Sequence, residues 1–212
     1  MAVESGYSSN PIVDAFACTV RDCGIEGRLI EPFFASMRTD IRDDADRGLV
    51  GFDREQHAAY VYGSAEVVGL MCLRVFTREE RLAPDEAALL ERGARSLGAA
   101  FQNINFLRDL ADDSRRLGRD YLGADRQISE TDRLAWVAEA RAQLESARIS
   151  LPLLPKDARR AVRCALELFE ELLDRISRTP AAELYTRRIR VPNAVKLGLA
   201  VRAGARTLLE RT

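Results

Sequence analysis

Apolar residues recur along most of this chain at the three- and four-residue spacing of helices that bury one side. Asn10-Pro11 opens a first helix reaching to about Cys23, with Gly24 as its stop. A second helix is predicted over residues 28–42. The acidic run Asp43-Asp44-Ala45-Asp46, followed by Gly48 and Gly51, reads as a loop. Asp53 is placed to cap a third helix ending near Val75, and Ala83-Pro84-Asp85-Glu86 opens a long fourth one reaching to about Arg116. After a loop bracketed by Gly118 and Gly123, Ser129 starts a helix to about Arg148. Pro152 and Pro155 break the chain before a helix over 157–177. A last one covers about 193–210, beyond Pro180 and Pro192. No β-hairpin signal, internal repeat or linker-rich boundary interrupts this pattern. The expectation is one all-α domain over residues 1–212, with 1–9 disordered.

Composition narrows the function classes. The chain has 212 residues, 47% hydrophobic and 31% charged, which is ordinary for a folded globular protein. A formal net charge of −1 supplies no basic field for nucleic acid, so none is expected as partner. Four scattered cysteines without CxxC spacing fit a reducing cytoplasm better than metal or redox work. The opening residues lack the basic and apolar regions of a signal peptide, and no uninterrupted apolar run is long enough to span a bilayer. The lone His57, between Gln56 and two alanines, is read as a surface residue.

The segment with chemical content is 102–113. At about 100° per residue, Gln102, Asn105, Asp109 and Asp113 share an arc of roughly 80°, while Ile104, Leu107 and Ala111 face the other way. Two carboxylates four residues apart repel each other, and a divalent cation would reverse that penalty. Oxygen-only ligands favour Mg²⁺, or Mn²⁺, over zinc. Such a cation suits a diphosphate leaving group, because it neutralises charge that grows as the C–O bond ionises. A solvated acidic helix face with capping amides is the other reading these residues allow.

The same residues carry a resemblance. The string Gln102-x-x-Asn105-x-x-Arg108-Asp109-x-x-x-Asp113 resembles the second Asp-rich motif of the squalene and phytoene synthase family. The tail Arg119-Asp120-Tyr121-Leu122 looks like its continuation. Tyr60-Val61-Tyr62-Gly63-Ser64-Ala65-Glu66-Val67-Val68-Gly69 is similar to an upstream family helix, with Ser64-Ala65-Glu66 resembling bacterial phytoene synthases. Arg188-Ile189-Arg190-Val191-Pro192, followed by Lys196, resembles the closing basic segment.

The resemblance implies an isoprenoid synthase-type helical bundle around a central cavity. It implies Mg²⁺-dependent head-to-head condensation of two geranylgeranyl diphosphates to phytoene, through a cyclopropylcarbinyl diphosphate. Asn105, Asp109 and Asp113 would then hold the metal, and Gln102 and Arg108 would contact the diphosphate or metal-bound water. Tyr60 would face the reacting carbons, with a core tyrosine as the alternative. Tyr121 joins the substrate-binding set, and Arg119, Arg188 and Lys196 are diphosphate clamps or surface charges. Gly63 and Gly69 would pack closely beside the cavity. Phe169 stands where family members often carry a tyrosine.

The family's first Asp-rich motif is expected on a helix ahead of Asn10. Only residues 1–9 stand there, so the bundle is expected to be N-terminally truncated. The DxxxD spacing within Asp40-Ile41-Arg42-Asp43-Asp44 is read as an acidic loop after the second helix rather than a replacement. Two alternatives stay open: a squalene-type condensation of farnesyl diphosphate, and a silent or split-enzyme subunit completed by a partner chain. A cytoplasmic protein with peripheral membrane contact is expected, since its lipid substrate would come from a membrane.

Overall fold

The computed structural model describes residues 2–43, 50–112, 119–120, 122 and 127–209; the side chains of 40–43, 50–51, 119–120 and 205–209 lie outside the description. The architecture is all-α, as the periodicity predicts. Its helices are α1 (Ala2–Ser5), α2 (Pro11–Asp22), α3 (Gly27–Asp43), α4 (Arg54–Val61), α5 (Val67–Phe76) and α6 (Pro84–Asp112), then α7 (Glu130–Ser150), α8 (Lys156–Ser177), α9 (Ala181–Leu184) and α10 (Asn193–Leu209). A two-residue parallel bridge, Val50 with Arg119 and Gly51 with Asp120, is the β pairing among the described residues.

The predicted caps are where local chemistry puts them. Asn10 accepts from the Ile12 and Val13 amides, with Pro11 at the first helical position. Gly24 takes φ +62° just past the end of α2, a conformation that strains residues with a Cβ. Asp53 and Gln56 form a reciprocal capping box at α4, and Ser129 and Asp132 form one at α7.

Four expectations need correction. Residues 2–5 are not disordered: α1 forms a single turn, held by the Arg21 guanidinium donating to the Ala2 and Val3 carbonyls. The third helix is not a plain α-helix, because Tyr62–Glu66 adopts π geometry between α4 and α5. The acidic stretch does not begin outside the second helix; α3 runs through Asp43, so Asp40 lies on it, while 44–49 fall outside the described residues. Finally, the continuous helix over 54–76 is long and apolar enough, by length and composition alone, to cross a membrane. It packs between α3 and α6, with Glu66 and Arg74 in ion pairs.

The larger core gathers around α6, where Leu90, Ala100, Ile104 and Leu107 are fully buried against α7 and α8. A second cluster, from Val20, Ile25, Leu29, Val67 and Leu70, fastens α2 and α3 to α5. Arg74 ties these regions together by pairing with Glu26 and Glu91. Its hydrogen bond holds the Glu26 carboxyl at about 2, well below the usual carboxylate range. Close approach of α6 to α5 and to the π turn before it rests on glycine. A Cβ on Gly69 would meet the Ala94 carbonyl oxygen at 2.4 Å, and one on Gly98 would meet that of Ala65 at 2.4 Å.

Candidate functional site: two clefts along α6 and α8

The helix α6 presents different chemistry at successive turns. Its middle part, with α5 and the start of α8, lines an apolar cleft of about 330 Å³. Val68, Leu73, Phe76, Leu97, Phe101 and Val162 supply its walls. Gly93 and Ala94 also line it. Ser64 and Gln102 are polar groups at its edge, and the Ser64 hydroxyl is buried with no hydrogen-bond partner among the described residues.

Further along, Arg108 joins Phe169 and Leu172 of α8 and the segment 188–193 around a second cleft of about 660 Å³, with Lys196 at its rim. In the segment before α10 burial alternates from residue to residue. Ile189 and Val191 are buried, and Arg188 and Arg190 are turned outward into the cleft. Four cations therefore face one hollow.

Asp109 is the counter-ion on α6. The Arg108 guanidinium donates to both of its carboxylate oxygens, with Nε at 2.9 Å from Oδ1. Arg188 reaches the same carboxylate, Nε at 2.6 Å from Oδ1 and Nη2 at 3.4 Å from Oδ2. The carboxylate is only 20% exposed. One turn earlier, the Asn105 amide oxygen is buried and lacks a partner among the described residues. Behind this face Ile104, Leu107, Leu110 and Ala111 are buried.

This architecture has counterparts. The sequence profile of the family Squalene/phytoene synthase matches residues 2–195. The chain belongs to the squalene/phytoene synthase family. Among curated relatives, it is 31% identical over 92% of its length to a phytoene synthase of Arthrospira platensis, covering 69% of that protein. It is 31% identical over 85% of its length to phytoene synthase 3 of Zea mays, covering 45% of it. It is 30% identical over 76% of its length to a farnesyl diphosphate phosphatase of Bacillus subtilis, covering 61% of it. The chain thus spans between about half and two thirds of these relatives. Among solved structures, the fold superposes with TM-score 0.67 on the squalene synthase HpnC of Alicyclobacillus acidocaldarius, at 22% identity, covering 84% of this chain and 69% of that one. It superposes with TM-score 0.61 on a dehydrosqualene synthase, at 26% identity, covering 84% and 65%. The fold is the helical isoprenoid synthase type.

Of the family's motif residues, the structure gathers Arg108, Asp109, Arg188 and Lys196 at or beside the basic cleft. Gln102 lies on the same face of α6 but borders the apolar cleft. Asp113 and Tyr121 lie outside the described residues, as does the Arg119 side chain. Tyr60 lines neither cleft. It is buried, its ring centroid 5.3 Å from Phe52 and 6.0 Å from Phe106, and it borders a separate groove with Pro32 and Ser36.

The residues present fit a magnesium ion by donor type. Asn105 offers an orphaned amide oxygen and Asp109 a carboxylate one turn on, both hard oxygen ligands. The Asp109 oxygens are now engaged by guanidinium groups, and no cluster of three His, Cys, Asp or Glu occurs among the described residues.

His57 is not a surface residue. It is 7% exposed, its ring centroid 4.6 Å from Trp136 and 5.7 Å from Phe106, and its Nε2 has no well-formed partner. Burial pushes its pKa down to about 4, with nearby Asn103 acting weakly in the other direction. The sequence signal was there: His57, Tyr60 and Val61 stand at i, i+3 and i+4, while Glu55, Gln56, Ala58 and Ala59 face water. Sequence reasoning also missed Arg190 as part of the basic cleft, although it alternates with buried Ile189 and Val191.

Proposed function

We propose that the two clefts together hold one prenyl diphosphate, and that the protein performs phytoene synthase-type chemistry on geranylgeranyl diphosphate. The observation carrying this reading is the end-to-end arrangement of a basic hollow and an apolar one along the same pair of helices. Arg108, Arg188 and Lys196 would bind the diphosphate oxygens by charge-assisted hydrogen bonds, and the tail would lie among Val68, Leu97 and Phe101. A volume of about 330 Å³ is within the ordinary range of small-ligand pockets.

The substrate class dictates the rest. Breaking the allylic C–O bond leaves a cation on the tail and extra negative charge on the departing diphosphate. The cationic cleft stabilises that charge where it develops, and the apolar walls keep water from the carbocation. Asn105 and Asp109 are the residues that would hold Mg²⁺, which neutralises the leaving group when bound. Arg188 would leave Asp109 for the diphosphate, since one guanidinium cannot serve both at full strength. In the first half of the condensation, C1 of one allylic unit bonds to the C2–C3 alkene of a second with loss of one diphosphate and one proton, giving a cyclopropylcarbinyl diphosphate. Its ionisation and rearrangement to phytoene would then release the second diphosphate and a second proton.

A squalene-type condensation of farnesyl diphosphate is the second reading, favoured by the shared fold with a squalene and a dehydrosqualene synthase. The experiment is incubation of the purified chain with Mg²⁺ and either diphosphate, followed by extraction of apolar products. Phytoene from geranylgeranyl diphosphate supports the first reading. A C30 product from farnesyl diphosphate alone supports the second. Failure to retain either diphosphate on the folded chain contradicts both.

A further inference from the structure

The linings of the two clefts meet at a stacked pair of rings. Phe101 of α6 forms part of the apolar cleft, and Phe169 of α8 forms part of the basic one. The rings stack face to face, centroids 3.8 Å apart and planes inclined by 18°. The helices reach the stack in the same order. On α6, Leu97 and Phe101 border the apolar side and Arg108 the basic side; on α8, Val162 and Ala165 precede, and Leu172 follows. A tail anchored by its diphosphate near Arg108 and Arg188 meets this stack before it reaches the apolar walls.

We propose that the Phe101–Phe169 pair is a gate, which must part for a long prenyl tail to pass from the basic cleft into the apolar one. The inference rests on the straddling mode of binding given above and adds the residues that make it length-dependent. Each ring hangs from its helix through a single Cβ, so a side-chain rotation moves it. Both rings are only half-buried, and each has a hollow on its far side to turn into. Phenylalanine has no hydroxyl, so no hydrogen bond ties ring 169 to the cations around it. The closed state is then held by ring stacking, which corresponds to a factor of about three to ten in an equilibrium.

The test is a binding series with Mg²⁺ present: inorganic diphosphate, then dimethylallyl, farnesyl and geranylgeranyl diphosphates, measured by calorimetry on the wild type and three variants. Phe169→Ala removes one leaf of the gate. Phe101→Leu removes the other with less change in volume, and stands in if Phe169→Ala does not fold by circular dichroism. Phe169→Tyr keeps the stack. The gate predicts that Phe169→Ala and Phe101→Leu tighten farnesyl and geranylgeranyl diphosphate about three- to tenfold. Inorganic and dimethylallyl diphosphate should be unchanged, and Phe169→Tyr should follow the wild type across the series. Unchanged or weaker binding of the long tails, with inorganic diphosphate still bound, overturns the gate and makes the rings a fixed wall or contact surface. If the wild type holds long-tailed diphosphates no more tightly than inorganic diphosphate, the straddling mode itself is wrong and the gate falls with it.

Discussion

The turns of α6 around Gly98 and those around Asp109 belong to one helix, yet one side makes space by omission and the other fills space with charge. Near Gly98, small residues allow backbones to touch and leave an oily hollow between the remaining side chains. Near Asp109, long cations surround a wider hollow, and two of them, Arg108 and Arg188, are held by one carboxylate. The lesson is that the two parts should fail differently. The apolar side is set by packing, so changes there should appear in stability. The basic side is half-exposed and ion-paired, so changes there should appear in binding.

The largest expected effect is on the packed side. Gly98→Val places methyl groups against the Ala65 carbonyl, where even a Cβ would sit 2.4 Å away. The Ala65 carbonyl is fixed in the π turn, so that turn and α6 must separate. We expect a loss of about 3 kcal/mol or more, read from the urea midpoint. A loss below about 1 kcal/mol would mean that the helices are not in close contact there.

On the charged side, Asp109→Ala should abolish Mg²⁺-dependent binding of prenyl diphosphate, a loss of about a hundredfold or about 2.7 kcal/mol. Its stability should change by less than about 1 kcal/mol, because the pair with Arg188 is partly open to water. Unchanged binding would remove Asp109 from the metal site. A large loss of stability would erase the contrast between the two sides.

The back of α6 offers a third environment. His57 titrates near 6.5 when unfolded and at about 4 in the fold, so the unfolded chain binds more protons between those values. This contribution is intact above about pH 6.5, falls as pH drops toward 4, and amounts to about 2 kcal/mol between pH 7 and pH 5. Replacing His57 with Phe should flatten that part of the stability–pH curve, measured by denaturant unfolding at both pH values. An unaltered slope would place the responsible group elsewhere.

The smallest effect is the control for the glycine argument. Gly198 on α10 has nothing within 4 Å of its would-be Cβ. Gly198→Ala should stabilise by about 0.5–1 kcal/mol, the reverse of Gly98→Val.

Much of this was legible in the sequence, for local reasons. Asn10, Asp53 and Ser129 announce their helices because capping chemistry lies within three residues of the cap. The shared face of Gln102, Asn105 and Asp109 follows from helical period alone. What was not legible depends on distant partners. The π turn over Tyr62–Glu66 carries the α3 contact at Gly63, where a Cβ would meet the Pro32 carbonyl. The Asp109–Arg188 pair joins residues 79 positions apart, so no local pattern encodes it. Gln102 and Arg108 sit on one motif but border different clefts, a division set by which residues of α5 and α8 pack beside each turn. His57 was misread because its polarity was weighed ahead of its spacing to Tyr60 and Val61.

The central claim is that one ligand occupies both hollows at once, and Cys72 can report it. Cys72 borders the apolar cleft and is exposed, though desolvation there pushes its thiol pKa up. The measurement is maleimide labelling with Mg²⁺ present, with peptide mapping to separate Cys72 from Cys18, Cys23 and Cys164. Geranylgeranyl diphosphate should slow labelling of Cys72 at least about tenfold, and inorganic diphosphate should leave it unchanged. Equal labelling under saturating amounts of both would show that the tail lies elsewhere, and would contradict the account.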